Sequence, residues 1–329
     1  MELSVVVPTL NGREHLVHCL DALSLHAPAA EIIVVNGPSV DGTTGMVRRR
    51  DDVDVLVEIG DRNVNVARNA GLDRATGTVV AFVDYWVCIE PSWVTAIEQT
   101  LDRPGIAHRE SGHGRPVAGA ITGPIHHPHR HEQRQHADRR TIDGQSVTYF
   151  DGGNVAFRRK ALAALDGFDE YLVTGGARDC AHRLARLGYT VAYDHRLCVT
   201  HQRSTPHSAK TTESLGFRPQ DPKATSGERD WNWRYRSLTY RLVKNYGPSS
   251  LWRVGRHAVG DGVDATLAIA RGTRRPSDWV DSSKSMINGT ATGLRDGMLA
   301  RLRDRTPRRN HNGRSKRADR AVAVYDERE

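Results

Sequence analysis

The sequence predicts an α/β fold: an open, mostly parallel sheet followed by a C-terminal helical extension and a basic tail. Three observations predict it. Two short β-branched runs, residues 4–7 and 31–35, are long enough for buried parallel strands. Each ends in small, hydrogen-bonding residues and leads into a helical pattern. A third apolar run, residues 78–83, repeats the arrangement. Strands alternating with helices imply a parallel sheet.

The first strand runs into Pro8, Thr9, Leu10, Asn11 and Gly12; the second runs into Asn36, Gly37, Pro38, Ser39, Val40, Asp41 and Gly42. In open α/β sheets, ligands sit at the carboxyl ends of such strands, so these two loops predict one small-molecule crevice. Neither loop carries G-x-G-x-x-G or G-x-x-x-x-G-K-[ST], which excludes the dinucleotide fingerprint and the P-loop. The third strand ends at Asp84, and Pro91 opens the next helix.

Residues 104–145 break the pattern. Seven of the sixteen histidines fall between His108 and His136, without a regular metal-ligand spacing, and the segment reads as a solvated insertion. Regularity returns with a strand over 146–150 entering Gly152, Gly153 and Asn154. A helix-like segment is expected from Val155, a further helix over 178–188 and a short strand over 190–193. From Trp231 to Tyr246, aromatic and basic residues recur at helical intervals. Such a helix suits a membrane interface, or packs against the α/β domain.

The 329 residues suffice for a full core, and 38% hydrophobic residues with a mean hydropathy of −0.55 fit a soluble chain. No apolar stretch approaches a membrane span and no secretory pattern opens the chain, so a cytoplasmic location is expected. Cys19, Cys88, Cys180 and Cys198 are widely spaced and read as reduced thiols. The net charge is +8, and residues 301–329 alone hold ten Lys/Arg against five Asp/Glu. This tail is expected to be disordered and to meet anionic lipid headgroups. No recognised nucleic-acid module is present, and no nucleic-acid partner is expected.

Four blocks in fixed order carry a family resemblance. They are the two strand-loop pairs; Ala67-Arg68-Asn69-Ala70-Gly71 ahead of the Asp84 strand; Gly152-Gly153-Asn154 with Gly167-Phe168-Asp169-Glu170; and the segment from Gly175 to Gly188 ending in R-L-x-x-x-G. Over roughly residues 3–201 the chain resembles family 2 glycosyltransferases with the GT-A fold. The resemblance implies a GT-A domain over 1–205, a helical extension over 206–300 and the tail over 301–329. It implies inverting transfer from a nucleotide sugar, UDP first among nucleotides. Donor-binding residues would be Pro8, Thr9, Asn11, Asn36, Asp41, Arg68, Asp84, Gly153 and Asn154.

The departures matter. Asn36 stands where the family usually has Asp. Asp84-Tyr85-Trp86 lacks the second carboxylate of the D-x-D motif that holds Mg²⁺ or Mn²⁺, so the implied metal falls to Asp84, with His201 as a further metal or diphosphate contact. Gly176 and Ala177 replace the family's acidic pair. Asp179 is then the expected general base, with His182 as the alternative. A weaker resemblance to haloarchaeal members implies a lipid-linked (dolichol phosphate) saccharide acceptor in surface-protein N-glycosylation, met by a peripheral protein at the cytoplasmic membrane face. Two alternatives stand beside it: a dolichol-phosphate sugar synthase, whose phosphate acceptor needs no base, and a non-catalytic sugar-nucleotide-binding scaffold.

Overall fold

The computed structural model describes residues 1–101, 117–127, 137–202, 231–272 and 275–328. The chain opens with β1 (Leu3–Thr9), α1 (Arg13–His26), β2 (Glu31–Asn36), α2 (Thr43–Val47), β3 (Val55–Ile59), α3 (Val64–Arg74) and β4 (Val79–Val83). It continues through β5 (Val87–Ile89), α4 (Trp93–Leu101), β6 (Ala118–Thr122), β7 (Ile125–His126), β8 (Arg139–Ile142) and β9 (Gln145–Thr148). Then come β10 (Asn154–Arg158), α5 (Arg159–Leu165), α6 (Gly176–Arg186), β11 (Thr190–Tyr193) and β12 (Val199–His201). Helices α7 (Trp231–Tyr246), α8 (Leu251–Ala270) and α9 (Pro276–Arg303) precede a last strand, β13 (Ala321–Asp326).

Eight strands form the main sheet in the order β11-β6-β10-β4-β1-β2-β3-β13. β4, β1, β2 and β3 run parallel, while β10 and β13 run antiparallel to their neighbours. Alternation along each strand makes two cores. Val6, Ile33, Val35, Phe82 and Phe157 pack with α3, α5 and α6 on one face. Val5, Val7, Val34, Ala81 and Val83 pack with α1 and α4 on the other. The carboxyl ends of β1, β2 and β4 therefore open on one edge of the layer.

Four expectations change. The segment 104–145 is not wholly an insertion: β6 lies inside the main sheet, and β8 and β9 form a hairpin. Residues 104–116 and 128–136 lie outside the described residues, as do 206–230 of the extension. Residues from Val155 do not begin a helix, because Asn154–Arg158 pairs with both β4 and β6; the helix starts at Arg159. A short apolar run between two glycines and two arginines has no period that separates the two readings.

The aromatic-basic helix α7 is not a membrane surface. Tyr235, Tyr240, Arg241, Leu242, Val243 and Lys244 are all buried. Gly293 and Gly297 of α9 let the two backbones meet: a Cβ at Gly297 would stand 3.0 Å from the Tyr240 carbonyl oxygen.

The tail is ordered rather than disordered. Ala321–Asp326 adds β13 to the β3 edge, with Val324 opposite Val57 and Tyr325 opposite Leu56. Its charge is cancelled locally: Arg317 meets Asp61 at 2.8 Å and Glu170 at 3.1 Å, and Arg320 meets Glu170 at 2.5 Å and Asp73 at 3.1 Å. The count of basic residues concealed both these partners and the alternating apolar residues of a strand.

Candidate active site

The A-R-N-x-G block explains itself residue by residue. Gly71 lies against Val6 of β1, so that a Cβ would overlap the valine and push α3 off the sheet. Asn69 clamps the 167–170 loop: its Nδ2 donates to the Phe168 carbonyl at 2.9 Å and to Glu170 Oε1 at 2.7 Å, and its Oδ1 accepts from the Phe168 N–H at 2.9 Å. Arg68 then lies over the Phe168 ring, 5.4 Å from its centroid, and reaches Asp84 at 3.4 Å. Its Nε has no hydrogen-bond partner among the described residues.

Asp84 ends β4 as expected. Its N–H donates to the Gly153 carbonyl at 3.1 Å, tying the β4 end to the loop before β10. A Cβ at Gly153 would overlap the Asp84 carboxylate, and one at Gly152 would stand 2.6 Å from an Arg68 nitrogen. Gly152, Gly153, Arg68 and Asp84 thus form one cradle in which side chains at 152 or 153 would displace the charges. Burial raises the Asp84 carboxyl to about 6; Arg68 opposes that rise and Asp151 adds to it. Asp151 accepts from the Gly153 N–H at 2.9 Å. The sequence motif does not reveal Asp151, because its proximity to Asp84 comes from antiparallel pairing of β10 with β4 rather than from spacing.

The first two loops are one hydrogen-bonded unit. Asn11 adopts a left-handed backbone with φ 49°, its N–H donates to Ser39 Oγ at 2.8 Å, and its Oδ1 accepts from the Val40 N–H at 2.9 Å. Ser39 Oγ donates to Asn36 Oδ1 at 2.7 Å, Asn36 Nδ2 donates to Thr44 Oγ1 at 3.0 Å, and Thr44 Oγ1 donates to Glu58 at 2.5 Å. The Thr44 proton is committed to Glu58, so residue 36 must donate to Thr44. An amide can do that and a carboxylate cannot. This accounts for Asn at the family's usual Asp position. Asn36 is 1% exposed with both ends of its amide engaged, so it shapes the loop rather than offering itself to a base or ribose.

Asp41, just ahead of α2, accepts from the Thr43 N–H and hydroxyl and from the Arg13 N–H at 2.9 Å. Pro8 and Thr9 are buried at the end of β1, and Thr9 Oγ1 has no partner among the described residues. Asn154 departs from the donor-binding expectation. Its Oδ1 accepts from Trp93 Nε1 at 3.0 Å and its Nδ2 donates to the Leu197 carbonyl at 2.8 Å, so it braces the scaffold.

Asp179 is not placed to act as a base. It is wholly buried, receives Arg183 Nε at 2.7 Å, Lys244 Nζ at 2.8 Å and Asn245 Nδ2 at 2.9 Å, and has no exposed oxygen to take a substrate proton. Burial alone would raise its pKa, but Lys244 and Arg183 overcome that and hold it well below the usual carboxylate range. His182 is corrected on the same ground. It is 1% exposed, with Nδ1 2.8 Å from the Tyr246 hydroxyl and Nε2 3.4 Å from that of Tyr149, and burial lowers its pKa to about 3.

His201 ends β12 opposite Val87, close to the turn that follows Asp84. Its Nδ1 lies 2.8 Å from the Gln202 carbonyl and its ring 5.0 Å from His127. Among the described residues no three His, Cys, Asp or Glu side chains converge on one metal position. Asp151 lies near enough to Asp84 to help raise its pKa, so the donors here are carboxylate oxygens, the type that hard divalent ions take, commonly one or two of them plus substrate phosphates.

Residues 4–166 match the family model for glycosyl transferase family 2. These residues belong to glycosyl transferase family 2. The chain is 22% identical over 210 residues to glycosyltransferase AglE of Haloferax volcanii, covering 60% of this chain and 66% of AglE. It is 34% identical over 89 residues to the putative teichuronic acid biosynthesis glycosyltransferase TuaG of Bacillus subtilis, covering 25% of this chain and 34% of TuaG. The chain thus spans less than two thirds of the length of these curated relatives. In fold it is similar to S. aureus TarS residues 1–349 in complex with UDP-GlcNAc, with a TM-score of 0.59 at 14% identity, covering 95% of this chain and 89% of that one. The fold is GT-A: a mostly parallel central sheet with C-terminal helices.

Proposed function

We propose that this protein transfers a sugar from a nucleotide-sugar donor, UDP-linked, to a lipid-linked acceptor that carries phosphate. The observation that carries the reading is the cradle of Arg68, Asp84, Gly152 and Gly153 at the carboxyl end of β4 within a family 2 domain. An acceptor oxygen attacks the anomeric carbon with inversion, a hydroxyl acceptor giving up its proton to solvent; the bond to the diphosphate breaks, and its electron pair leaves on the nucleoside diphosphate. Arg68 supplies positive charge near that leaving group. A divalent ion held by Asp84 and Asp151 would neutralise the diphosphate charge when bound. The glycines keep side chains out of the space between these groups. Similarity to a haloarchaeal glycosyltransferase agrees with the resemblance that implies a lipid-linked acceptor, and the UDP-GlcNAc bound to TarS supports UDP as carrier.

The lipid-linked acceptor draws support from α8. Trp252, Val259, Val263 and Leu267 are exposed on this helix, beside Arg253 and Arg256. Exposed apolar residues flanked by arginines suit the interface of an anionic bilayer and a peripheral association at its cytoplasmic face. No helix among the described residues is long and apolar enough to cross a membrane.

A second reading, a phosphate oxygen as the nucleophile, is favoured by one specific observation. Asp179 is locked in ion pairs, and Gly176 and Ala177 stand where acids would otherwise begin α6. An already ionised acceptor requires no base.

The test is release of nucleoside diphosphate from UDP- and GDP-sugars, with membrane lipid extract as acceptor, for wild type and Asp84→Asn. Acceptor-dependent turnover with one donor, lost in the variant, supports transfer. An extended lipid-linked oligosaccharide as product identifies a hydroxyl acceptor, and a monosaccharide phospholipid a phosphate acceptor. Nucleotide binding without turnover for any donor would leave a non-catalytic sugar-nucleotide scaffold.

A further inference from the structure

A cavity of about 390 Å³ lies between the β8–β9 hairpin, the start of α6, and helices α7 and α8. Five arginines line it: Arg140, Arg178, Arg241, Arg253 and Arg256. Among the described residues Asp138 is the one acid on its wall, and it is taken by Arg140 at 3.0 Å. Arg178 lies over the Tyr149 ring at 5.3 Å, and Arg253 and Arg256 flank the Trp252 ring at 4.6 and 5.2 Å.

Arg241 differs from the others. It is 6% exposed, its guanidinium has no ion pair or hydrogen bond among the described residues, and its Nε is wholly enclosed. Burial lowers the Arg241 pKa and Asp179 only partly offsets this; the cation has no direct ion-pair partner among the described residues, and four further arginines line the same cavity. The position also matters. Tyr149 follows β9, and the chain runs from it through Asp151 directly to the Gly152–Gly153 cradle beside Asp84. Trp252, where the exposed apolar face of α8 begins, also lines the cavity.

We infer that this cavity is a phosphoryl-anion site, which holds the phosphate or diphosphate ester of the lipid-linked acceptor between the donor cradle and the apolar face of α8. Planar guanidinium forks suit phosphate oxygens, and an anion here supplies the direct partner that the Arg241 guanidinium lacks among the described residues. This deepens the proposed function and rests on it for the identity of the acceptor. The anion site itself rests on the cavity.

The experiment is calorimetric titration of the full chain, saturated with UDP, with inorganic pyrophosphate, for wild type, Arg241→Met and Arg253→Gln. The expected result is saturable binding weakened at least tenfold by R241M and severalfold by the exposed R253Q. A short-chain polyprenyl phosphate is expected to displace the pyrophosphate. Absence of binding once UDP fills the donor site, or equal binding by wild type and both variants, overturns the anion site. Pyrophosphate binding that a polyprenyl phosphate cannot displace overturns the acceptor assignment and leaves a site for free phosphate anions. Failure of the glycosyl-transfer reading is recorded separately, as absence of UDP binding in the same calorimeter and of donor turnover.

Discussion

The Lys244 ammonium lies 2.8 Å from Oδ1 of Asp179, with both side chains fully buried. The same ammonium meets Asp169 at 2.5 Å, to which the Tyr240 hydroxyl also donates at 2.9 Å. One lysine from α7 therefore ties together the start of α6 and the G-F-D-E loop, so the helical extension is fastened to the α/β domain by charges rather than by apolar contact alone. Arg183 completes the cluster by donating to the Leu165 and Gly167 carbonyls at 2.7 and 3.0 Å.

Replacing Asp179 by Asn should act on stability before chemistry. It leaves Arg183 and Lys244 with one buried carboxylate fewer, and breaking such a pair costs about 3–5 kcal/mol. Thermal unfolding should show a large fall in Tm. Turnover per folded molecule should fall far less than the roughly 10²–10⁴-fold loss expected on removing a general base. A full loss of turnover at unchanged Tm would restore Asp179 as the base.

The hydrogen-bond order through the first two loops makes Asn36→Asp, a change toward the family's usual residue, unfavourable here. The new carboxylate would face a Thr44 oxygen whose proton is committed to Glu58. Loss of about 1–3 kcal/mol is expected from one buried unsatisfied acceptor. The double change N36D with E58Q should recover most of it, because Thr44 is then free to donate to residue 36. Chemical denaturation of the two single variants and the double variant closes the cycle; additive losses would contradict the assigned donor order.

Asp84 gives the metal-free protein a defined pH response. Burial raises its carboxyl to about 6, so between about pH 4 and pH 6 the folded protein keeps a proton that the unfolded chain has released. Stability from this group therefore falls as pH rises through that window, by roughly 3 kcal/mol for about two units. Asp84→Asn should remove that slope while raising stability above pH 6. Denaturation midpoints at pH 4.5 and 7 for both proteins measure it, and an unchanged slope in D84N would be the contrary result.

Removal of residues 314–329 should bare the β3 edge. Val55–Ile59 would then present unpaired N–H and C=O groups flanked by apolar side chains, and Asp61, Asp73 and Glu170 would lose arginine partners. The shortened chain should unfold at lower temperature and elute as larger species in size-exclusion chromatography. A monomer of unchanged Tm would mean that β13 adds little.

The strand-helix alternation up to Asp84 was legible because buried parallel strands carry continuous β-branched runs, and every one of those runs became a strand. Arg68, Asp84 and Gly153 were legible as a group only through their shared motif order; that they touch follows from β10 pairing with β4, which no spacing reveals. Asp179 misled because its partner Lys244 lies 65 positions along the chain, and an acid at a helix start reads alike whether solvated or paired. The arginines of α7 looked like a surface for the same reason. Residue type announces charge, but the partner and the burial that decide its role are tertiary facts.

The strand that closes the β3 edge is made about 260 residues after β3 itself. At ribosomal rates of roughly 5–20 residues per second, that edge waits on the order of tens of seconds for its partner. For that interval the nascent sheet offers a ready template to any other extended chain. Production of this protein should therefore respond to whatever shields nascent chains: slower initiation, lower temperature, or holdase chaperones that occupy an open strand until the C-terminal segment arrives.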